Sequence, residues 1–286
     1  MSWQQPELLS MNHSNPSATY TDLDSVQKPV EVYLFLDPFS AECWSLQFYL
    51  KKLTLEYGRF FTVRVIVNSR FSLVNKQQVH APFISHAAMV SEGRERYPVT
   101  HPLITSLAIK ASELQGKRAG KEFLQKLQEK LFIEHLNISE LDVLFACAKE
   151  TKLDMQEFKK DIVSPSAKRA YQCDLRLTNE MDVDAMPTMV FFNQTVEEHG
   201  IKVSGLYPYE IYELVLSEIL QYHPIPSTKP SLEDLISRST IIGNKEISII
   251  YDWSETKTLR EMKKLQLKQL VEKMEINNEI YWKPKI

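Results

Sequence analysis

Apolar and polar positions along this chain follow two different periods. A run of β-branched and aromatic residues, Val30 to Leu36, predicts a buried strand, and apolar positions at helical spacing follow it from Ala41 to Gly58. A second run of strand type covers Phe60 to Val67. Two mainly apolar strands joined by a helix form a βαβ unit, so we expect parallel pairing and a sheet covered on both faces. We expect Gly58 to end the helix in the left-handed conformation.

The middle of the chain predicts a helical insertion into this sheet. Residues 68–99 show no clear periodicity, and we expect a connection with one short helix there. Helical spacing then covers about residues 100–181. Within this range, Ser139 and Asp154 each precede an acidic residue by three positions, and Ser164 precedes a proline. We therefore expect these three residues to begin helices.

The sheet is expected to continue after the insertion. Met186-Pro187 stands directly before the apolar run Thr188 to Phe192, which predicts a strand, and residues 200–205 predict a shorter one. Tyr209 to Tyr222 carries apolar residues at helical spacing. These patterns predict one α/β domain at residues 30–223. The tail before it, residues 1–29, has a polar composition that predicts flexibility.

A small second unit is predicted at residues 231–286. A proline-rich linker, residues 224–230, separates it from the first domain, because proline restricts its own backbone and that of the preceding residue. The pattern predicts a helix opened by Ser231, helices over Lys245–Asp252 and Glu255–Gln269, and a hairpin around Asn277-Asn278. Three helices and a hairpin predict a winged-helix-like α+β module.

Size and charge narrow the classes of function. The 286 residues, 43% of them hydrophobic, are enough for a sizeable core. The formal net charge of −3 gives no global reason to bind nucleic acid or an anionic membrane, and residues 231–286 carry ten Lys or Arg against nine Asp or Glu. A protein-binding module is therefore favoured over a DNA-binding one. With no long apolar run and no secretory signal pattern, we expect a cytoplasmic protein without a membrane partner.

The candidate chemistry lies at the start of the first predicted helix. A strand–helix junction of this kind is where a thioredoxin-type fold keeps two active cysteines, but here the pair is Ser40 and Cys43. Dithiol exchange needs a second thiolate to resolve a mixed disulfide, and serine cannot supply one. We expect Ser40 to be the helix N-cap and Cys43 to be buried and unreactive, with redox sensing by Cys43 as the open alternative.

The remaining cysteines and histidines give weaker signals. Cys147 and Cys173 fall within apolar helical patterns and predict core packing. His80, His86 and His101 are near one another in sequence but lack the spacing of ligands on one helix face, so no metal site is predicted.

The order of predicted elements resembles the DsbA-type branch of the thioredoxin fold over about residues 30–223. In that branch the proline before the third strand is cis and faces the start of the first helix, which the resemblance implies for Pro187. The segments DPFSAECW, KLTLEYGRFF, KASELQGKRAG, NEMDV and GLYPY are similar to the SpxH (also called YjbH) adaptor family of Firmicutes. Members with a full motif carry Cys-x-x-Cys where this chain keeps only the second cysteine, Cys43.

This resemblance implies a non-catalytic adaptor, not an enzyme, that binds the transcription regulator Spx and promotes its degradation by the protease ClpXP. We expect a client-facing surface beside the motif, formed by Phe39, Trp44, Met186 and Pro187. Two alternatives stay open, a glutathione-dependent isomerase or transferase that uses Ser40 and a redox-active thioredoxin-like protein. No cofactor is expected.

Overall fold

The computed structural model describes residues 28–69, 101–194, 200–276 and 278–285. Its main sheet contains β1 (Val30–Leu36), β2 (Phe61–Val67), β3 (Thr188–Asn193) and β4 (Ile201–Ser204), in the order β2-β1-β3-β4. β1 pairs with β2 in parallel, as predicted, and the other two pairs are antiparallel. Residues 1–27 of the predicted tail, and the predicted short helix between residues 70 and 99, lie outside the described residues.

Both faces of β1 are buried. Val32 and Leu34 pack into the largest apolar cluster on one face, whereas Phe35 packs into a separate cluster on the other. Residues 62–64, in the middle of β2, are exposed because β2 is an edge strand of the described sheet. The expectation of a sheet covered on both faces is correct for β1 and wrong for the middle of β2.

Helices surround the sheet and form the insertion. α1 (Ala41–Tyr57) connects β1 to β2. Between β2 and β3 lie α2 (Pro102–Leu114), α3 (Lys117–Phe132), α4 (Leu141–Glu150), α5 (Met155–Asp161) and α6 (Pro165–Glu180), and α7 (Tyr209–Leu220) follows β4. The fold is thus a mixed α/β sheet with a helical insertion, as predicted. None of the described helices is both long and apolar enough to cross a lipid bilayer.

Two of the three predicted caps in the insertion are confirmed. Asp154 Oδ1 accepts hydrogen bonds from two backbone N–H groups at the start of α5, at 2.8 and 3.0 Å, and Ser164 Oγ accepts one at the start of α6. The prediction for Ser139 is wrong, because α4 begins at Leu141 and Ser139 is buried before it. The backbone N–H of Ser139 instead donates to the side chain of Asn137 at 3.0 Å.

α1 ends at Gly58 as predicted, but the expected left-handed cap conformation is wrong. Gly58 has a φ of −59°, and its N–H donates to Thr54 O at 3.0 Å, which continues the helical pattern. A Cβ atom at this position would collide with the carbonyl oxygen of Thr54, so a close approach of the backbone, rather than an unusual φ, requires glycine. Gly116 has a φ of 130° in the turn between α2 and α3, where glycine relieves backbone strain.

A buried ion pair fastens the insertion to the sheet. Lys110 on α2 lies 2.6 Å from Asp174 on α6, and the side chains are only 3% and 7% exposed. Asp174 also accepts the backbone N–H of Val67 at the end of β2, at 2.8 Å. Burial raises the pKa of Asp174, and the ammonium of Lys110 partly opposes this effect. The carboxylate of Asp174 therefore links α6 to both α2 and the end of β2.

The C-terminal module, which we define as Leu232–Pro284, has its own small core. It contains α8 (Leu232–Ser237), β5 (Ile242–Gly243), α9 (Asn244–Tyr251), α10 (Glu255–Leu267), β6 (Val271–Ile276) and β7 (Glu279–Pro284). The strands form an antiparallel sheet in the order β5-β7-β6, around a core that includes Ile247, Met262 and the fully buried Trp282. The sequence predicted the three helices and the hairpin but not β5. The winged-helix-like interpretation stays a prediction.

Candidate functional site

Ser40 and Cys43 are brought together at the first turn of α1. Ser40 Oγ accepts the backbone N–H of Cys43 at 3.2 Å and donates to Glu42 Oε2 at 2.9 Å. The extended backbone of Ser40, with φ −85° and ψ 128°, is typical of an N-cap residue. The predicted capping role of Ser40 is confirmed.

The thiol of Cys43 points into the protein and is 2% exposed. Its sulfur accepts the backbone N–H of Asp37 at 3.4 Å. Burial raises the pKa of this thiol far above its ordinary value, and the hydrogen bonds with Ser40 and Asp37 only partly oppose that effect. Since the thiolate is the reactive form, the raised pKa disfavours reaction of Cys43 at neutral pH, and its predicted burial is confirmed.

The cis peptide Met186-Pro187 lies at the same end of the sheet as this turn. β3 begins directly after it, and Thr188 pairs with Phe35 of β1 and with Ser204 of β4. The backbone N–H of Gly205 donates to Pro187 O at 2.7 Å. The residues that follow β1 and β4 and those that precede β3 therefore meet around the N-terminus of α1.

The four residues expected to face a client differ in their accessibility. Phe39 and Met186 are half-buried at the edge of the main apolar cluster, and Pro187 is buried. Trp44 is only 7% exposed, with its ring stacked on Phe132 at a centroid distance of 5.7 Å. Trp44 is therefore not accessible to a client in this structure, because the insertion and the C-terminal module cover it.

Two further residues lie beside the expected client-facing residues but did not stand out in the sequence. Leu206 and Tyr207 follow Gly205, whose N–H donates to Pro187 O. Leu206 is half-buried against the main apolar cluster, and the side chain of Tyr207 is 40% exposed. Sequence spacing alone does not place them near Met186, because the pairing of β3 with β4 brings them there. The GLYPY segment noted above was the available signal.

The other two cysteines are in different environments. Cys147 is fully buried, as predicted, and burial raises the pKa of its thiol to about 12. The prediction that Cys173 packs in the core is wrong, because its side chain is exposed on α6. The buried face of α6 is instead formed by Ala167, Tyr171, Asp174 and Thr178.

No metal centre is formed by the part of the chain that the structure describes. His101 is exposed at the start of α2, while His80 and His86 lie outside the described ranges. Among the residues that are described, no group of three or more His, Cys, Asp or Glu side chains is arranged to hold a metal ion.

The mixed sheet, the cis proline before β3 and the helical insertion define a thioredoxin-like fold of the DsbA type, with one buried cysteine in its motif. A family model described as Thioredoxin matches residues 33–214. A putative protein disulfide isomerase from Nitrosomonas europaea superposes with a TM-score of 0.54 at 15% identity, over 68% of this chain and 99% of that chain. Likeness at this level of identity supports the fold alone.

Two relatives are similar along nearly the whole sequence. A protein of Bacillus licheniformis named ClpXP adapter protein SpxH is 41% identical over 98% of this chain and 93% of its own length. The protein of the same name from Bacillus subtilis is 41% identical over 90% of each chain. The chain belongs to the SpxH family.

Proposed function

We propose that this protein is a non-catalytic, cytoplasmic adaptor that binds the transcription regulator Spx and promotes its degradation by ClpXP. The observation that carries this proposal is the similarity, from the sheet through the C-terminal module, to relatives named ClpXP adapter protein SpxH. We call the first turn of α1, with Ser40 and Cys43, the motif turn. It supports the non-catalytic part of the proposal, since the thiol of Cys43 is buried and the first position of the motif is serine.

The client surface that we propose lies at the end of the sheet beside the motif turn. Phe39, Met186, Leu206 and Tyr207 follow or precede strands that meet at this edge, and each is at least partly exposed. Apolar and aromatic side chains that are half-buried on a rigid frame lose little conformational entropy when a partner covers them. An adaptor must bind one conformation of its client more tightly than others, because equal affinity for all of them shifts no population.

The enzymatic alternative based on Ser40 and glutathione gains no support from the motif turn. The hydroxyl of Ser40 already accepts from the N–H of Cys43 and donates to Glu42. To orient a glutathione thiolate, this hydroxyl would have to redirect its one O–H donor from Glu42 to the sulfur. If glutathione nevertheless bound in a saturable way that Ser40→Ala abolished, the non-catalytic proposal would be wrong.

The proposal is tested by following the turnover of purified Spx by ClpXP with and without this protein. We expect faster turnover when the protein is present. Met186→Ser removes an apolar contact from the proposed surface and should weaken binding of Spx about tenfold, as loss of a central apolar contact typically does. Leu214→Ser, at a 60% exposed position on α7, is the matched control and should bind as the parent does.

Two results would contradict these expectations. If the folded parent protein does not accelerate turnover, the adaptor function is wrong. If Leu214→Ser weakens binding as much as Met186→Ser does, the position of the client surface is wrong while the adaptor function stands.

A further inference from the structure

The C-terminal module covers an aromatic face of α1. Trp44 and Phe48 on this helix, together with Ile133 after α3, form an apolar cluster with Tyr281 of β7. The side chains of Trp44, Phe48 and Tyr281 are 7%, 5% and 4% exposed, so the module keeps this face away from solvent. We call Trp44, Phe48 and Ile133 the covered face.

The contact between the module and the covered face is incompletely packed. A cleft of about 210 Å³ lies between α1, α3 and the module, and Trp44, Phe48, Ile133 and Tyr281 all line it. The cleft is partly open to solvent, so the atoms that line it lack protein partners on one side. The apolar contact therefore holds the module less firmly than a continuous core would.

A network of charged groups joins the module to the C-terminal half of α1. Lys52 on α1 and Lys229 in the linker lie 2.5 and 2.6 Å from the carboxylate of Asp252, which follows α9. Lys229 also lies 3.0 Å from Glu56 on α1, and Glu56 accepts a hydrogen bond from the hydroxyl of Tyr209. We call Lys52, Glu56, Lys229 and Asp252 the ionic clasp.

Burial makes the ionic clasp sensitive to the loss of any one member. The side chains of Lys52 and Glu56 are each 7% exposed, although both carry charges. A buried charge that loses its partner destabilises the state in which it is buried. Removing the charge of Lys229 or Asp252 thus penalises the docked arrangement, whereas water can solvate the α1 charges once the module has moved away.

Each part has a core of its own that can persist when the two separate. The core of the module includes Ile247, Ile250 and Trp282, and the sheet and the insertion share a different cluster. Among the described residues, only single partly buried ones cross between them, Leu55 of α1 at the edge of the first and Ile249 of the module at the edge of the second. We propose that the ionic clasp holds the module over the covered face, and that loss of a clasp charge lets the module open as a unit and expose this face. This inference concerns conformation and does not depend on the identity of the client.

Thiol labelling can test the proposal because the chain supplies internal references. In the full chain, Cys173→Ser removes the exposed thiol, and Ile133→Cys places a thiol on the covered face at a position that is 4% exposed. Cys43 and Cys147 stay buried and report opening of the sheet and the insertion. Adding Lys229→Met or Asp252→Asn should make the introduced thiol react with a disulfide reagent at least about tenfold faster, while Cys43 and Cys147 stay unreactive.

The matched control is Lys160→Met, which breaks an exposed ion pair of 2.9 Å between Lys160 and Glu157 on α5. This variant should label at the rate of its parent. The proposal is overturned if the clasp variants label no faster than the control. It is equally overturned if Cys43 and Cys147 become reactive together with the introduced thiol, because the chain would then open as a whole.

Discussion

Ser40 and Cys43 occupy the same turn of α1 but differ in what surrounds them. The hydroxyl of Ser40 is half-buried and is used for capping, whereas the thiol of Cys43 lies in the apolar cluster beneath the sheet. A positive helix N-terminus favours a thiolate, but for Cys43 the cost of burying a charge is larger. The turn therefore retains the position of a redox motif, but its one thiol is buried and its other position is serine.

This difference in burial predicts how the three thiols react. In the native protein we expect a disulfide reagent to label one thiol quickly, the exposed Cys173, and the buried Cys43 and Cys147 only after unfolding. Raising the pH from about 7 to about 9 should bring no second thiol into the fast phase, because burial keeps the pKa of both buried thiols above that range. Two fast thiols in the native protein would contradict this account of Cys43.

At the residue scale, local signals in the sequence were sufficient to predict the positions of Ser40, Cys43 and Pro187. The strand–turn–helix junction and the family resemblance indicate where these residues lie in the fold. These signals were not sufficient for Trp44 or Cys173. Trp44 is covered by a module whose sequence lies about two hundred residues away. Cys173 is exposed because α6 buries a face that contains the charged Asp174 and the polar Thr178, which a count of apolar residues overlooks.

At the scale of elements, five of the ten described helices begin at a Ser or Asp whose side chain caps the first turn, a signal that is visible in the sequence. Ser231 caps α8 by accepting the N–H of Asp234 at 3.1 Å, in the same way as Asp154 and Ser164 cap their helices. Ser139 has a similar signal, but its buried hydroxyl accepts no backbone N–H, and the helix begins two residues later at Leu141. β5 consists of two residues, too few for any periodic pattern to indicate.

The ion pair between α2 and α6 gives a prediction at this scale. Lys110→Met leaves Asp174 buried without its cation and should lower the free energy of unfolding at neutral pH by about 3 kcal/mol. Without Lys110, nothing opposes burial as strongly, and the pKa of Asp174 in the folded protein rises further above its value in the unfolded chain. A carboxyl with a raised pKa stabilises the folded state while it is protonated. This stabilisation is lost as the pH rises through the pKa of the folded state. The loss should therefore be smaller near about pH 5 than near about pH 8.

Urea unfolding at both pH values measures this effect. Lys160→Met again serves as the control, since its ion pair is exposed and its removal should leave stability unchanged. A loss for Lys110→Met that is the same at both pH values would show that Asp174 does not carry the effect.

At the scale of the whole molecule, the sequence indicates the two parts of the chain but not the contact between them. The proline-rich linker suggests separation, yet the backbone N–H of Ser227 donates to Glu56 O at 2.7 Å and the guanidinium of Arg59 bonds to Ile225 O. These contacts join residues more than 150 positions apart, so no local pattern encodes them. They fasten the linker to the end of α1 and the turn after it, while the ionic clasp and the covered face join the module itself to the first domain.

The central claim is that this arrangement acts as an adaptor without thiol chemistry. The most direct measurement is the rate of Spx degradation by purified ClpXP with no addition, with the parent protein and with Cys43→Ala, whose folding is verified by circular dichroism. We predict that the parent and Cys43→Ala accelerate degradation equally, because the buried thiol takes no part. No acceleration by the parent, or its loss in a folded Cys43→Ala protein, would contradict the account.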